Sequence, residues 1–127
     1  LGIKLSLFDV SDQGKPREIS NLVLGSSGSY AEVLSNHKAL MLNPDRNMIA
    51  FDASLSNING DYQKSYFYGA LIIEAKEDGT LKVLHQISNE GIYGSHVKRV
   101  IYIGDILYYV LDDNIRAFNI DTFREIK

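Results

Sequence analysis

The chain has 127 residues, a formal net charge of -3 and no cysteine, a length that suits one domain and falls short of two. The missing cysteine excludes disulfides, thiolate nucleophiles, zinc–thiolate centres and iron–sulfur ligation, and the acidic balance offers no basic field to nucleic acid or anionic lipid. No stretch approaches the roughly 18 consecutive apolar residues that cross a bilayer, and the chain opens at Leu1 in a strand-like run, with neither a Met nor a signal-peptide pattern, as expected of a piece of a longer protein.

Composition favours strands. Ile (14), Val (7), Tyr (8) and Phe (5) far outnumber Ala (7), so residues that suit a pleated sheet dominate while the best helix former is scarce. Apolar residues alternate with period two, and turn-forming Gly, Asn, Asp and Pro residues punctuate the runs. In chain order the expected strands are Ile3–Val10, Glu18–Leu24, Lys38–Leu42, Met48–Ser54, Tyr66–Ala75, Leu81–Ile87, Val97–Ile103, Ile106–Leu111, Ile115–Ile120 and Phe123–Ile126. One short helix is expected over Ser29–Leu34, with Ser29 as N-cap and Glu32 completing a capping box.

The strands repeat as a set. Lys38–Leu42, a turn and Met48–Phe51 match Arg99–Ile103, a turn and Ile106–Tyr109. The third strands end alike, at Ile72-Ile73-Glu74 and at Ala117-Phe118-Asn119, and Leu7-Phe8-Asp9 carries the same ending. A four-stranded meander that is apolar on both faces must stack on copies of itself, which is the logic of a β-propeller. The expected fold is therefore all-β, a propeller fragment of about two and a half four-stranded antiparallel blades. A half blade covers residues 1–24, a full blade 37–88 and a nearly full blade 96–127. Blades of roughly 40–50 residues close in sets of roughly 4–8, so this chain cannot close alone. Leu40, Leu42, Ile49, Phe51, Leu71, Ile73, Val100, Tyr102, Leu107 and Tyr109 are expected between blades.

A family resemblance adds to this. Leu1–Asp12, Gly28–Leu34 with His37-Lys38-Ala39 and Asn43–Asn47, Tyr68-Gly69-Ala70 and Val100–Tyr108 resemble, in order, segments of secreted bacterial and archaeal proteins that carry a C-terminal β-propeller distantly related to WD40 repeats. The connection Ser88–Ser95 is shorter than the family's. The resemblance implies a propeller and a secreted or cell-surface location, and it carries no activity with it.

Candidate sites follow from position. His37 and His96 precede the first strands of their repeats, where imidazoles at a channel mouth could bind a ligand or act as acid and base; a polar loop end is the plainer account. Tyr62, Tyr66 and Tyr68, with Phe67 among them, could form an aromatic platform for sugars or peptides. Gly25–Ser29 lacks a P-loop ending and suits a flexible connector. Asn57, Asn59 and Asp61 alternate as in a calcium loop but lack its glycine and glutamate. Asp9/Asp12 and Asp112/Asp113 suit turns, and Lys98-Arg99 suits a solvated strand face. No metal and no cofactor are expected. The function expected is a non-catalytic extracytoplasmic binding scaffold for an unknown protein or small molecule; the alternative is a hydrolase or lyase with a His/carboxylate site at the channel mouth. Unclosed edges and faces make a homodimer the expected state of the fragment.

Overall fold

A computed structural model describes residues 2–57, 65–89 and 97–127. Ten strands form three antiparallel sheets, and no α-helix occurs among the described residues. The first sheet pairs β1 (Ile3–Asp9) with β2 (Arg17–Leu24). The second has the order β3 (Met41–Asn43), β4 (Met48–Ser56), β5 (Tyr66–Ala75), β6 (Leu81–Ser88). The third runs β7 (Lys98–Ile103), β8 (Ile106–Leu111), β9 (Ile115–Asn119), β10 (Glu125–Ile126). Each strand neighbours the next in sequence, so two four-stranded meanders follow half of one. The chain is a partial β-propeller.

Period-two alternation gives every sheet two faces, and each stacks on its neighbour. From the second sheet Met41, Met48, Ala50, Ala70, Ile72 and Ile87 meet Val100, Leu107, Tyr109, Leu111, Phe118 and Ile120 of the third. Its opposite face carries Phe51, Ala53, Leu55, Leu71 and Ile73 against Ile3 and Leu24 of the first. Burying one such large side chain stabilises by about 1.5–3 kcal/mol relative to leaving it in water, so the two seams supply the cohesion that no single sheet has.

Polar bonds cross the seam between the second and third sheets. At the end of the sheets with the short turns, Arg46 donates from Nε to Asp121 (3.1 Å) and from Nη2 to Asp105 (3.0 Å). At the middle of β4 the Tyr109 hydroxyl donates to Asp52, and Arg99 of β7 donates from both terminal nitrogens to Glu32, in the connection that precedes the second sheet.

Several expectations are corrected. Lys38–Leu42 is not one strand: Asn36 accepts from the Lys38 backbone N–H (3.1 Å) and caps a 3-10 turn over His37–Ala39, so pairing starts only at Met41. The expected helix is a single 3-10 turn, Glu32–Leu34, without a side-chain cap. Ser29 serves elsewhere, its Oγ accepting from the Ser56 N–H (3.0 Å). Gly25–Ser29 is stitched to the end of β4, since Ser26 N–H donates to the Ser56 carbonyl and Ser56 Oγ to the Ser27 carbonyl. Phe123 adopts a left-handed φ of 60° in a turn, which shortens the last strand to Glu125–Ile126. Arg99 is not a solvated cation but the ion-pair partner of Glu32.

Phe51, Leu71, Ile73, Val100, Leu107 and Tyr109 are buried as expected, but Leu40 and Leu42 are 38% and 60% exposed. Their face is the one foreseen, shared with Ile49 and Ile73 through the β-ladder. What fails is the cover, because β1 and β2 lie over β4, β5 and β6 of the second sheet, and nothing described lies over the face of β3 and the adjoining Leu40. The repeat also shifts by one residue in its first strand. Leu42 pairs with Ile49, and Tyr102 pairs with Leu107, so Leu42 corresponds to Tyr102, and the longer turn Pro44–Asn47 in the second sheet absorbs the difference.

Candidate functional site

The last residues of β2, β4, β6 and β8 lie at one end of the stacked sheets. Tyr30 bridges Ser54 near the end of β4, and the Val97 N–H donates to Asp112 (2.7 Å), which ties the start of the third sheet to its own β8–β9 turn. At this end Tyr66 and Tyr68, paired with Ser56 and Ser54 of β4, are exposed at the mouth of the seam between the two complete sheets.

Tyr66 and Tyr68 occupy that mouth. As residues i and i+2 of β5 they share the face of Ala70 and Ile72, toward the third sheet. Their rings stack with centroids 6.2 Å apart and planes 15° from parallel. They are 52% and 39% exposed, which is unusual for aromatic side chains beside a close-packed core. Phe67 turns the other way and packs at the first seam.

The floor beside them is polar and held in place. The Asn89 N–H donates to the Tyr68 carbonyl (3.0 Å). Arg116 donates to the Ser88 carbonyl (2.8 Å) and forms a two-pronged pair with Glu125 (2.9 and 3.1 Å), its guanidinium 5.2 Å above the Phe118 ring. That pairing holds the Glu125 carboxyl below its ordinary range. Further along the same face, burial pushes the Asp52 carboxyl up, and the Tyr109 hydroxyl bond only partly offsets it. Tyr109 is fully buried; burial and the adjacent carboxylate raise its hydroxyl far above the usual phenol range. The proton therefore stays on Tyr109, and the pair is a fixed contact between sheets. Glu32 is held low first by its bond from Arg99 and then by Asn36.

The other candidates separate. His37 is exposed in its 3-10 turn, and His96 and Tyr62 lie outside the described residues, as do Asn59, Asp61 and most of Ser88–Ser95. Asp9 and Asp12 accept from the Ser11 and Gly14 N–H groups as turn-formers. No cluster of three or more His, Cys, Asp or Glu occurs among the described residues, and neither His37 nor His85 is ion-paired to a carboxylate among them. Sequence reasoning placed Tyr109 between blades but did not single out Asp52, which it meets across 57 positions. It also passed over His85, which stacks on Phe123 with centroids 4.7 Å apart and is shifted down by burial. An acidic residue inside the apolar run Met48–Leu55 was the available signal for Asp52. The surface as a whole can offer aromatic contact flanked by hydrogen-bonding groups.

The described residues contain no helix long and apolar enough to cross a membrane. An uncharacterized protein of Archaeoglobus fulgidus is 27% identical over 124 residues, which is 98% of this chain and 16% of that protein. The chain thus spans about one-sixth of that relative's length. No solved structure matches the chain. The family model described as a beta propeller domain matches residues 1–123, in agreement with the stacked meanders, and the chain belongs to that family.

Proposed function

We propose that the chain is a non-catalytic binding segment of an extracytoplasmic β-propeller, and that it receives its ligand on the stacked Tyr66–Tyr68 pair. The observation that carries this is the exposure of two parallel aromatic rings at the mouth of the seam between the complete sheets. A flat ligand with an apolar face and polar edges, a saccharide above all, would stack on such rings and bond to neighbouring amide and carbonyl groups. The secreted or surface location and the distant kinship to WD40 repeats rest on the sequence resemblance of Leu1–Asp12, Gly28–Leu34 and Val100–Tyr108. A hydrolase or lyase would need a His and a carboxylate joined in one cleft; His37 stands exposed in its 3-10 turn, and His96 lies outside the described residues.

For residues 1–127 alone, we propose self-association through the outer face of the last sheet. Ile101, Ile103 and Ile115 stand 43%, 67% and 63% exposed there, on the side that the ladder makes continuous with Tyr108 and Ala117. A stable two-fold interface would bury more than roughly 1,000 Å². Sedimentation that finds only a 14.2 kDa species across the micromolar range would rule this out.

Binding is tested by titrating short oligosaccharides of defined linkage, with NMR amide shifts as readout. Expected are perturbations clustered at Tyr66, Tyr68 and Asn89, abolished in Tyr66→Ala/Tyr68→Ala while the unfolding midpoint stays in place. Saturable binding that survives the double substitution would refute the assignment.

A further inference from the structure

We infer that the site on Tyr66 and Tyr68 extends to Tyr30, and that it takes an unbranched β-1,4-linked glycan lying across the strands of the second sheet rather than a single sugar. The inference rests on the binding role proposed above and adds a second aromatic contact to it. Tyr30 is 54% exposed and belongs to the connection between β2 and β3, yet it is built into the second sheet. Its N–H donates to the Ser54 carbonyl (2.8 Å), and the Ser54 N–H donates to its carbonyl (2.7 Å). Ser54 in turn pairs with Tyr68, whose carbonyl accepts from the Asn89 N–H (3.0 Å). Tyr30, Ser54 and Tyr68 therefore form one cross-strand row.

Residues directly opposite each other in an antiparallel ladder send their side chains to the same face, so Tyr30 shares the face of Tyr68, toward the third sheet. Its neighbours agree. Ala31, the next residue, is buried on the opposite face with Phe51 and Ala53. Glu32, two residues on, reaches Arg99 of the third sheet. Ser54 spends both backbone groups on Tyr30, so its pairing with Tyr68 is of the close, non-bonded kind. Together the two pairings set the Tyr30 and Tyr68 backbones roughly 10 Å apart, with the short Ser54 side chain between them.

That layout matches a particular ligand geometry. In a β-1,4-linked chain of glucose-type hexoses both bonds at each ring are equatorial, so the chain is extended and successive rings turn over. Alternate rings then present the same face to one side, and the chain repeats every two rings. One contact at Tyr66–Tyr68 and a second at Tyr30 would each meet a ring of the same facing, with the intervening ring above Ser54. The polar groups suit hydroxyls that both donate and accept. Three phenols and the Ser54 hydroxyl surround the row, and the half-buried Asp52 carboxyl lies one row deeper on the same face. A proline-rich peptide also docks on aromatic side chains, but it has few N–H groups to offer those acceptors.

The test compares ligand lengths. Disaccharides and hexasaccharides of β-1,4-linked glucose and of β-1,4-linked N-acetylglucosamine are titrated calorimetrically into the wild type and Tyr30→Ala. Expected is at least about ten-fold tighter binding of a hexasaccharide than of its own disaccharide, because the second contact forms within a chain already held. Tyr30→Ala should erase that gain and leave the disaccharide affinity unchanged, and Tyr30→Phe, which keeps the ring, should restore most of it. Should Tyr30→Ala fail to fold, NMR amide shifts of the wild type decide: those of Ala31 and Ser54 should move with the hexasaccharide and not with the disaccharide. Equal affinity for both lengths, or an equal loss for both in Tyr30→Ala, would overturn the extension and leave the Tyr66–Tyr68 site standing. Binding of sugars of other linkages but of neither series would overturn the ligand class, and binding of no saccharide at all would overturn the binding role with it. Shifts at Tyr30 and Tyr68 with a proline-rich peptide, and none with either series, would mark a peptide site and overturn the proposal.

Discussion

Replacing Tyr109 by Phe isolates the hydroxyl that joins the second and third sheets. The ring stays, so the apolar contacts of this fully buried residue persist, and only the bond to Asp52 is lost. A hydrogen bond to a charged partner contributes about 1.5–3 kcal/mol. Asp52 is only half-buried, so water recovers part of that when the phenol goes, and about 1–2 kcal/mol is expected at pH 7. For a domain of this size that moves a urea midpoint down by roughly 0.5–1 M. The loss should also depend on pH in a defined direction. Burial raises the Asp52 carboxyl in the folded state and the Tyr109 bond pulls it back, so the hydroxyl favours the ionised form. Its removal must cost more above the folded-state pKa of Asp52 than below it. Urea melts of both proteins at pH 7 and pH 4, followed by circular dichroism, provide the comparison. A difference that is the same at both pH values, or larger at pH 4, would refute the reasoning.

Other consequences can be checked in the same way. Asp52→Asn should gain stability relative to wild type as pH rises from 3.8 through the folded-state pKa. A raised carboxyl favours folding below its unfolded value and loses that contribution as it ionises, and Asn does not titrate; a flat difference would contradict this. Phe51→Ala, at 1% exposure in the first seam, should cost about 3–5 kcal/mol in denaturant melts, and a loss under about 1 would mean that the seam does not stabilise the chain as described. Gly69→Ala should be severely destabilising, because a Cβ there would fall on the Ile87 carbonyl oxygen of the neighbouring strand; an unchanged midpoint would show that β5 and β6 can separate at little cost. The His85 imidazole should titrate below 6.5, and stability contributed by its neutral stack on Phe123 should be present above that value and lost as pH falls through the folded-state pKa. NMR titration of the ring, with His85→Phe as the non-titrating control, measures it.

Local pattern carried most of the architecture. Tyr66–Ala75 and Ile106–Leu111 have the bounds that alternation and flanking turns indicate, since both strands are paired on two sides. Legibility fell where a local bond competed with the pattern. Lys38–Leu42 alternates like a strand, but the Asn36 side chain offers the backbone a turn instead. Leu40 and Leu42 show a second limit, because burial belongs to what covers a residue as well as to the residue. The clustering of Tyr66 and Tyr68 was visible as spacing two on a strand, though their exposure was not. Contacts between elements far apart in sequence were the least visible of all. Arg99 meets Glu32 across 67 positions and Tyr109 meets Asp52 across 57, separations over which a single sequence shows no periodicity.

The placement of the polar bonds along the seam between the second and third sheets has a mechanical consequence. Apolar contact resists pulling two sheets apart, but it is non-directional and resists sliding poorly. Here Arg46 grips Asp105 and Asp121 at one end, and Tyr109 grips Asp52 toward the other. Two directional anchors, well separated along a greasy joint, oppose both translation and rotation in its plane, whereas a single one would leave a pivot. The pair of blades should therefore respond to shear as one stiff plate. Yielding should begin at the first seam, where the directional bonds, from Gly25–Ser29 to the end of β4, all sit at one end and the rest of β1 and β2 is held by apolar contact.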